Sequence, residues 1–216
     1  LMAAVQGLNT SARRKAALMR HIWRPRRFRA LLDRYAHRTP VPAARQALLS
    51  TDGVLTGSAA EIGKRSRAEI DERVDALRED AALPPIAENE LLALEALMAV
   101  RETVPYALEQ LRDIAVDLPA INPALNRLEA RAAALTARGV PVESLDFEAS
   151  YGRTSMEYYD GFVFGFYAEA RPDLPPNASG GRYDALTRQL GQGAEIPAVG
   201  GVIRPDLMLT LEESQS

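Results

Sequence analysis

A chain of 216 residues with 47% apolar and 25% charged side chains has room for one large or two small domains and can bury a sizeable core. It has no cysteine and only two histidines, His21 and His37, which excludes a disulfide scaffold and a thiolate metal site and argues against a zinc centre; no metal and no cofactor is expected. The net charge of −3 hides an asymmetry: residues 1–38 hold ten Lys or Arg against one Asp, a local +9 that leaves −12 for the rest.

The opening LMAAVQGLNTSARRK places its charges after a short apolar stretch, the reverse of a secretory signal. No apolar run reaches the roughly 20 residues of a membrane helix. Cytoplasm is therefore expected, with no membrane partner. Helices are predicted over 11–20 and 25–37, the second with Pro25 at its first position and Phe28, Leu31, Leu32 and Tyr35 at helical spacing. A basic block on an otherwise acidic chain predicts a docking face. Arg13, Arg14, Arg24, Arg26 and Arg27 are its candidate partner-binding residues, unless such arginines pair with acids of the same surface. A protein partner is favoured over nucleic acid, because only Trp23 interleaves with these arginines.

A short helix is predicted over 41–50, then a loop from Ser50 to Gly63 with a turn at Asp52-Gly53. Residues 64–80 carry a thin apolar stripe, Ile70, Val74 and Leu77, and Pro84-Pro85 ends that segment. Two helices follow from Glu88. Leu91, Leu94, Leu97 and Met98 line the first; Val104, Leu108, Leu111 and Ile114 line the second, with Thr103 as cap and Pro105 in its first turn. The clearest helix is 123–138, capped by Asn122, striped by Leu125, Leu128, Ala132 and Leu135, and stopped by Gly139.

Leu145 to Tyr151 alternates apolar and polar residues, the pattern of a strand with one buried face. In the next strand Phe162, Phe164 and Phe166 form one face and Val163, Gly165 and Tyr167 the other, so cover on both sides is expected. These two strands are predicted to pair antiparallel through Gly152–Glu157. Ser179–Tyr183 and Ala198–Ile203 give two further strands, with a helix over 184–191 between them and another opening at Pro205. The fold class read from this order is α+β: residues 1–139 mainly helical, 140–211 an antiparallel sheet, 212–216 a tail.

Several motifs fail on inspection. Gly57 to Lys64 has five residues between its glycines, and Arg65 stands where a phosphate loop needs Ser or Thr. Gly191-Gln-Gly193 opens a dinucleotide pattern, but Ile196 occupies the third glycine's place. No G-x-S-x-G elbow exists.

GGRYDALTRQLG followed by IPAVGG resembles the third signature of histidyl-tRNA synthetases and their paralogues. MEYYDGFVFGF is similar to the strand that lines the histidine pocket of that family. The resemblance implies a class II synthetase sheet, of which the chain is a piece, since nothing in it resembles the family's first two signatures. It also implies a histidine-like pocket at Met156, Tyr158, Tyr159, Gly180, Gly181 and Arg182. Two arginines that hold phosphate in the synthetases have no match: Thr154 and Leu207 stand at their places, with Arg153 and Arg204 displaced from them. Adenylation needs cations where phosphate charge develops, so this departure points to paralogues without that chemistry and to no catalytic residue. The chain thus resembles regulatory subunits of ATP phosphoribosyltransferase. That resemblance implies assembly with a short catalytic subunit, a hetero-oligomer and homodimer, and histidine as an effector. Two other readings stand beside it: a histidyl-tRNA synthetase catalytic-core fragment, and a synthetase-like adaptor that binds RNA or protein through the basic helices.

Overall fold

In a computed structural model the described residues are 1–50, 66–151, 159–191 and 193–213. The loop predicted over 51–63, the Gly57–Lys64 stretch and the Gly152–Glu157 connection lie outside them. Helices α1 (Met2–Gly7), α2 (Ala12–Arg20), α3 (Pro25–Tyr35), α4 (Ala43–Ser50), α5 (Arg67–Ala82) and α6 (Glu88–Ala99) come first. Strand β1 (Arg101–Thr103), helices α7 (Val104–Asp117) and α8 (Asn122–Thr136), and strand β2 (Asp146–Glu148) follow. Then come β3 (Val163–Phe166), β4 (Ala178–Arg182), α9 (Asp184–Leu190), β5 (Val199–Ile203) and α10 (Pro205–Glu213).

Local chemistry sets most helix ends. The Ser11 hydroxyl accepts from the Arg14 N–H and starts α2. Ser66 and Glu69 cap one another reciprocally at the start of α5. In α3, Phe28, Leu32 and Tyr35 recur at helical spacing and are all buried. They join α1, α2, α6 and α7 in one core, to which Ala4, Val5, Leu91, Leu94 and Leu111 contribute. The short helix α1 carried no sequence signal, yet Ala4 and Val5 are fully enclosed. Asn122 does not cap α8. A 3-10 turn over Pro119–Ile121 runs directly into the helix, so Asn122 is already helical and Ile121 holds the cap position. Gly139 does stop the segment, with φ at +78°.

The strand pairing differs from the expectation. β2 pairs antiparallel with β1, Glu102 opposite Phe147, and not with β3. The ladder is extended by Val104 N–H to the Leu145 carbonyl and Ala149 N–H to the Val100 carbonyl. The turn between α6 and α7 therefore offers β2 an edge before β3 can. The second sheet has the order β3-β4-β5, all antiparallel, with Gly165, Ser179 and Val202 in one row. Nor is β3 covered on both sides, since Phe166 is 62% exposed and Tyr167 52%.

Candidate functional site

Side chains alternate between the two faces of a strand, and the register sorts the β3-β4-β5 sheet into two unlike surfaces. One carries Val163 and Gly165, Ser179 and Gly181, and Gly200 and Val202. Here each strand supplies a glycine, and each glycine lies under a tyrosine. A Cβ at Gly165 would strike the Tyr151 hydroxyl; one at Gly181 would stand 2.9 Å from the Tyr159 ring; one at Gly200 would stand 2.8 Å from the Tyr183 hydroxyl. The rings pair among themselves. Tyr151 and Tyr167 meet edge to face at 6.4 Å, with their hydroxyls 3.3 Å apart. Tyr159 and Tyr183 lie 6.1 Å apart. Burial, and after it the Tyr167 hydroxyl, raises the Tyr151 phenol well above its ordinary pKa.

At the rim of this face the Arg204 guanidinium donates to the Pro176 carbonyl at 2.7 Å and to the buried Ser179 hydroxyl at 3.3 Å. Arg204 is thus tied to the loop before β4. Leu207 is half-buried on α10.

The opposite face is a phenylalanine ladder. Phe162 stacks on Phe164 at 6.1 Å and Phe164 meets Phe166 at 5.7 Å. Gly180, Gly201 and Arg182 belong to this side. The Phe164 ring and the β5 backbone fill the space beside Gly180. The Arg182 Nε donates to Asp184 at 2.7 Å. Asp184 also accepts the Ala198 N–H at 2.8 Å. That backbone bond first, and then Arg182, hold its carboxyl below the usual range. Asp160 accepts from the N–H groups of Asp184 and Ala185 and so starts α9. The Thr187 hydroxyl accepts from the Ile196 N–H at 2.9 Å, binding that helix to the segment that leads into β5.

Of the six pocket residues named from sequence, Tyr159 and Gly181 come together on the tyrosine face. Gly180 and Arg182 point the other way, and Met156 and Tyr158 lie outside the described residues, as do Arg153 and Thr154. Sequence reading put Tyr151 and Ser179 on strands but named neither of them, nor Asp160, as a site residue. The period-2 pattern carried the signal for Tyr151 and for the division of the two glycines.

The basic helices split. Arg14 is 1% exposed and therefore corrects its own assignment: it bonds Asp80 and the Pro84 carbonyl inside the chain, where no partner reaches it. Arg38 pairs with Glu88 and Glu95. Arg13, Arg24, Arg26 and Arg27 are exposed, and no acid pairs with them among the described residues. His21 lies beside them; its pKa is lowered by burial and then by Arg24, Arg27 and Arg20. No helix among the described residues is long and apolar enough to cross a membrane.

Residues 57–207 match the histidyl-tRNA synthetase family profile. The ATP phosphoribosyltransferase regulatory subunit of Mesorhizobium japonicum is 32% identical over 130 residues, 60% of this chain and 34% of that protein. The protein of the same name from Brucella anthropi is 34% identical over 140 residues, 63% of this chain and 36% of its own. The chain thus spans about a third of the length of these curated relatives. A solved histidine–tRNA ligase subunit from Alicyclobacillus acidocaldarius is 26% identical, with a TM-score of 0.42, over 99% of this chain and 51% of that one.

Proposed function

The chain belongs to the histidyl-tRNA synthetase family, and from that premise we propose that it acts as a non-catalytic regulatory subunit of ATP phosphoribosyltransferase in the first step of histidine biosynthesis. The observation that carries this reading is its similarity to curated proteins of that name across 60% of its length or more. Two features of the chain support it. Leu207 and Thr154 stand where adenylation needs arginines, and Arg204 is bonded to the chain's own Pro176 and Ser179. Leucine offers no donor to a phosphate.

In this reading the protein works in the cytoplasm as part of a hetero-oligomer with the short catalytic subunit and as a homodimer with itself. Arg13, Arg24, Arg26 and Arg27 face the partner. Histidine is the effector, held on the tyrosine face by Tyr159 and Gly181; Met156 and Tyr158, the other two residues of the sequence reading, lie outside the described residues. Gly180 and Arg182, on the other face, serve packing and the start of α9. Regulation follows from linkage: an effector that binds one state of the complex more tightly shifts the catalytic partner by that difference.

Mixing the natural protein with the short catalytic subunit and following phosphoribosyl-ATP formation tests this. Stimulation and co-migration are expected. Absence of both, together with histidine-dependent ATP–pyrophosphate exchange, would return the protein to the synthetases.

A further inference from the structure

Arg131, in α8, stands with its guanidinium carbon 4.2 Å from the centroid of the Phe162 ring. It is half-buried, and no carboxylate pairs with it among the described residues. Arg127 lies one turn earlier on the same helix and is exposed. Arg182 is the cross-strand neighbour of Phe162, its N–H donating to the Phe162 carbonyl at 2.9 Å. The Arg131 guanidinium thus stands over the ring, Arg182 neighbours Phe162 across the strand pair, and Arg127 lies one turn from Arg131 on α8.

The nearby acids are already engaged. Asp184 holds Arg182 and the Ala198 N–H, Asp160 holds the first turn of α9, and Glu129 pairs with Arg112 at 2.7 Å. Burial, then repulsion from Arg127 and Arg182, keeps Arg131 below its ordinary pKa. Like charges one turn apart on a helix destabilise it, and a ring contact offsets only part of the loss of water around a cation. The arrangement is unfavourable within the chain alone. It becomes favourable when an oxyanion arrives, because guanidinium groups grip phosphate in a planar, bidentate way and the ring excludes water from one side.

We propose that Arg127, Arg131 and Arg182 form a binding site for a phosphate monoester, between α8 and the β3 end of the phenylalanine face. With Arg182 paired to Asp184 and Asp160 held by backbone N–H groups, Arg127 and Arg131 are the cations left to meet the roughly −2 charge such a group carries at neutral pH. The site stands or falls independently of the regulatory reading.

Free phosphate and a phosphorylated metabolite share this chemistry, so calorimetric titrations at fixed ionic strength compare inorganic phosphate, ribose 5-phosphate and AMP, with adenosine as the uncharged control. Saturable binding of a phosphate probe is expected, with none of adenosine. The strongest probe separates the free ion from an ester. Arg131→Gln weakens that binding about tenfold or more and leaves the urea midpoint unchanged or raised, because it removes an unpaired cation. No saturable phosphate binding, or equal binding by Arg131→Gln, overturns the proposal; so does a lower midpoint, which would make Arg131 a packing residue. If that variant fails to fold, Arg127→Gln at an exposed position decides: weaker phosphate binding supports the site and unchanged binding removes it.

Discussion

The Nε of Arg14 donates to the Asp80 carboxylate at 2.7 Å, fastening α2 to the end of α5. Two more bonds from the same guanidinium reach the carbonyls of Asp80 and Pro84 at 2.6 and 2.7 Å, and Tyr35 lies 5.0 Å beneath it. Removing one partner of a buried pair strands the other. Arg14→Ala is therefore expected to lower stability by about 3 kcal/mol in urea unfolding, whereas Arg13→Ala, on the exposed side of the same helix, stays within about 0.5 kcal/mol. Equal effects would show that the clasp carries no stability.

Of the three glycines beneath the tyrosines, Gly181 is the one whose side chain would meet backbone. A Cβ at Gly181 would stand 2.6 Å from the Phe162 carbonyl oxygen, a backbone atom that cannot swing away. Gly181→Ala is expected to destabilise by about 1–3 kcal/mol through overpacking. At Gly139, where the space is open and only the positive φ objects, alanine costs about 1 kcal/mol. Thermal melts of the two variants give the order.

Asp184 links stability to pH. Its carboxyl is held low in the fold by the Ala198 N–H and Arg182, so the unfolded chain takes up the proton first as pH falls. Its contribution is complete above the unfolded carboxylate value of about 3.9 and is lost as pH drops through the lower folded value. Asp184→Asn is expected to flatten that acid limb of the stability curve while leaving the limb above pH 6 parallel to wild type. An unchanged acid limb would reject the linkage.

His21 reports on the basic face. Burial first, and then Arg24, Arg27 and Arg20, disfavour its charged form. Screening weakens the arginine part and spares the burial part. In an NMR titration His21 is expected to ionise below the usual 6.5 at low salt and to move upward, without reaching 6.5, at high salt. An acidic protein docked on Arg24 and Arg27 would raise it further.

Much of the helical portion was legible because helix signals are local. Pro25 at a first turn, Phe28, Leu32 and Tyr35 at one spacing, and Gly139 at positive φ each act within a few residues. The β4-α9-β5 arrangement was legible for the same reason, through GGRYD and PAVGG. The capping box at Ser66 and Glu69 was equally open to reading. β1 was not, since three residues between two helices show no period.

The sequence by itself determined where most helices begin and stop, which strands alternate, and the kinship of residues 145–211, since propensity, capping and motif spacing are properties of neighbours along the chain. The tertiary structure alone decided that β2 pairs with β1, that Arg14 is enclosed while Arg24 stands in solvent, and that tyrosines fill the space above the glycines. Those outcomes depend on which distant segment reaches an edge or a charge first, and the burial that follows fixes them.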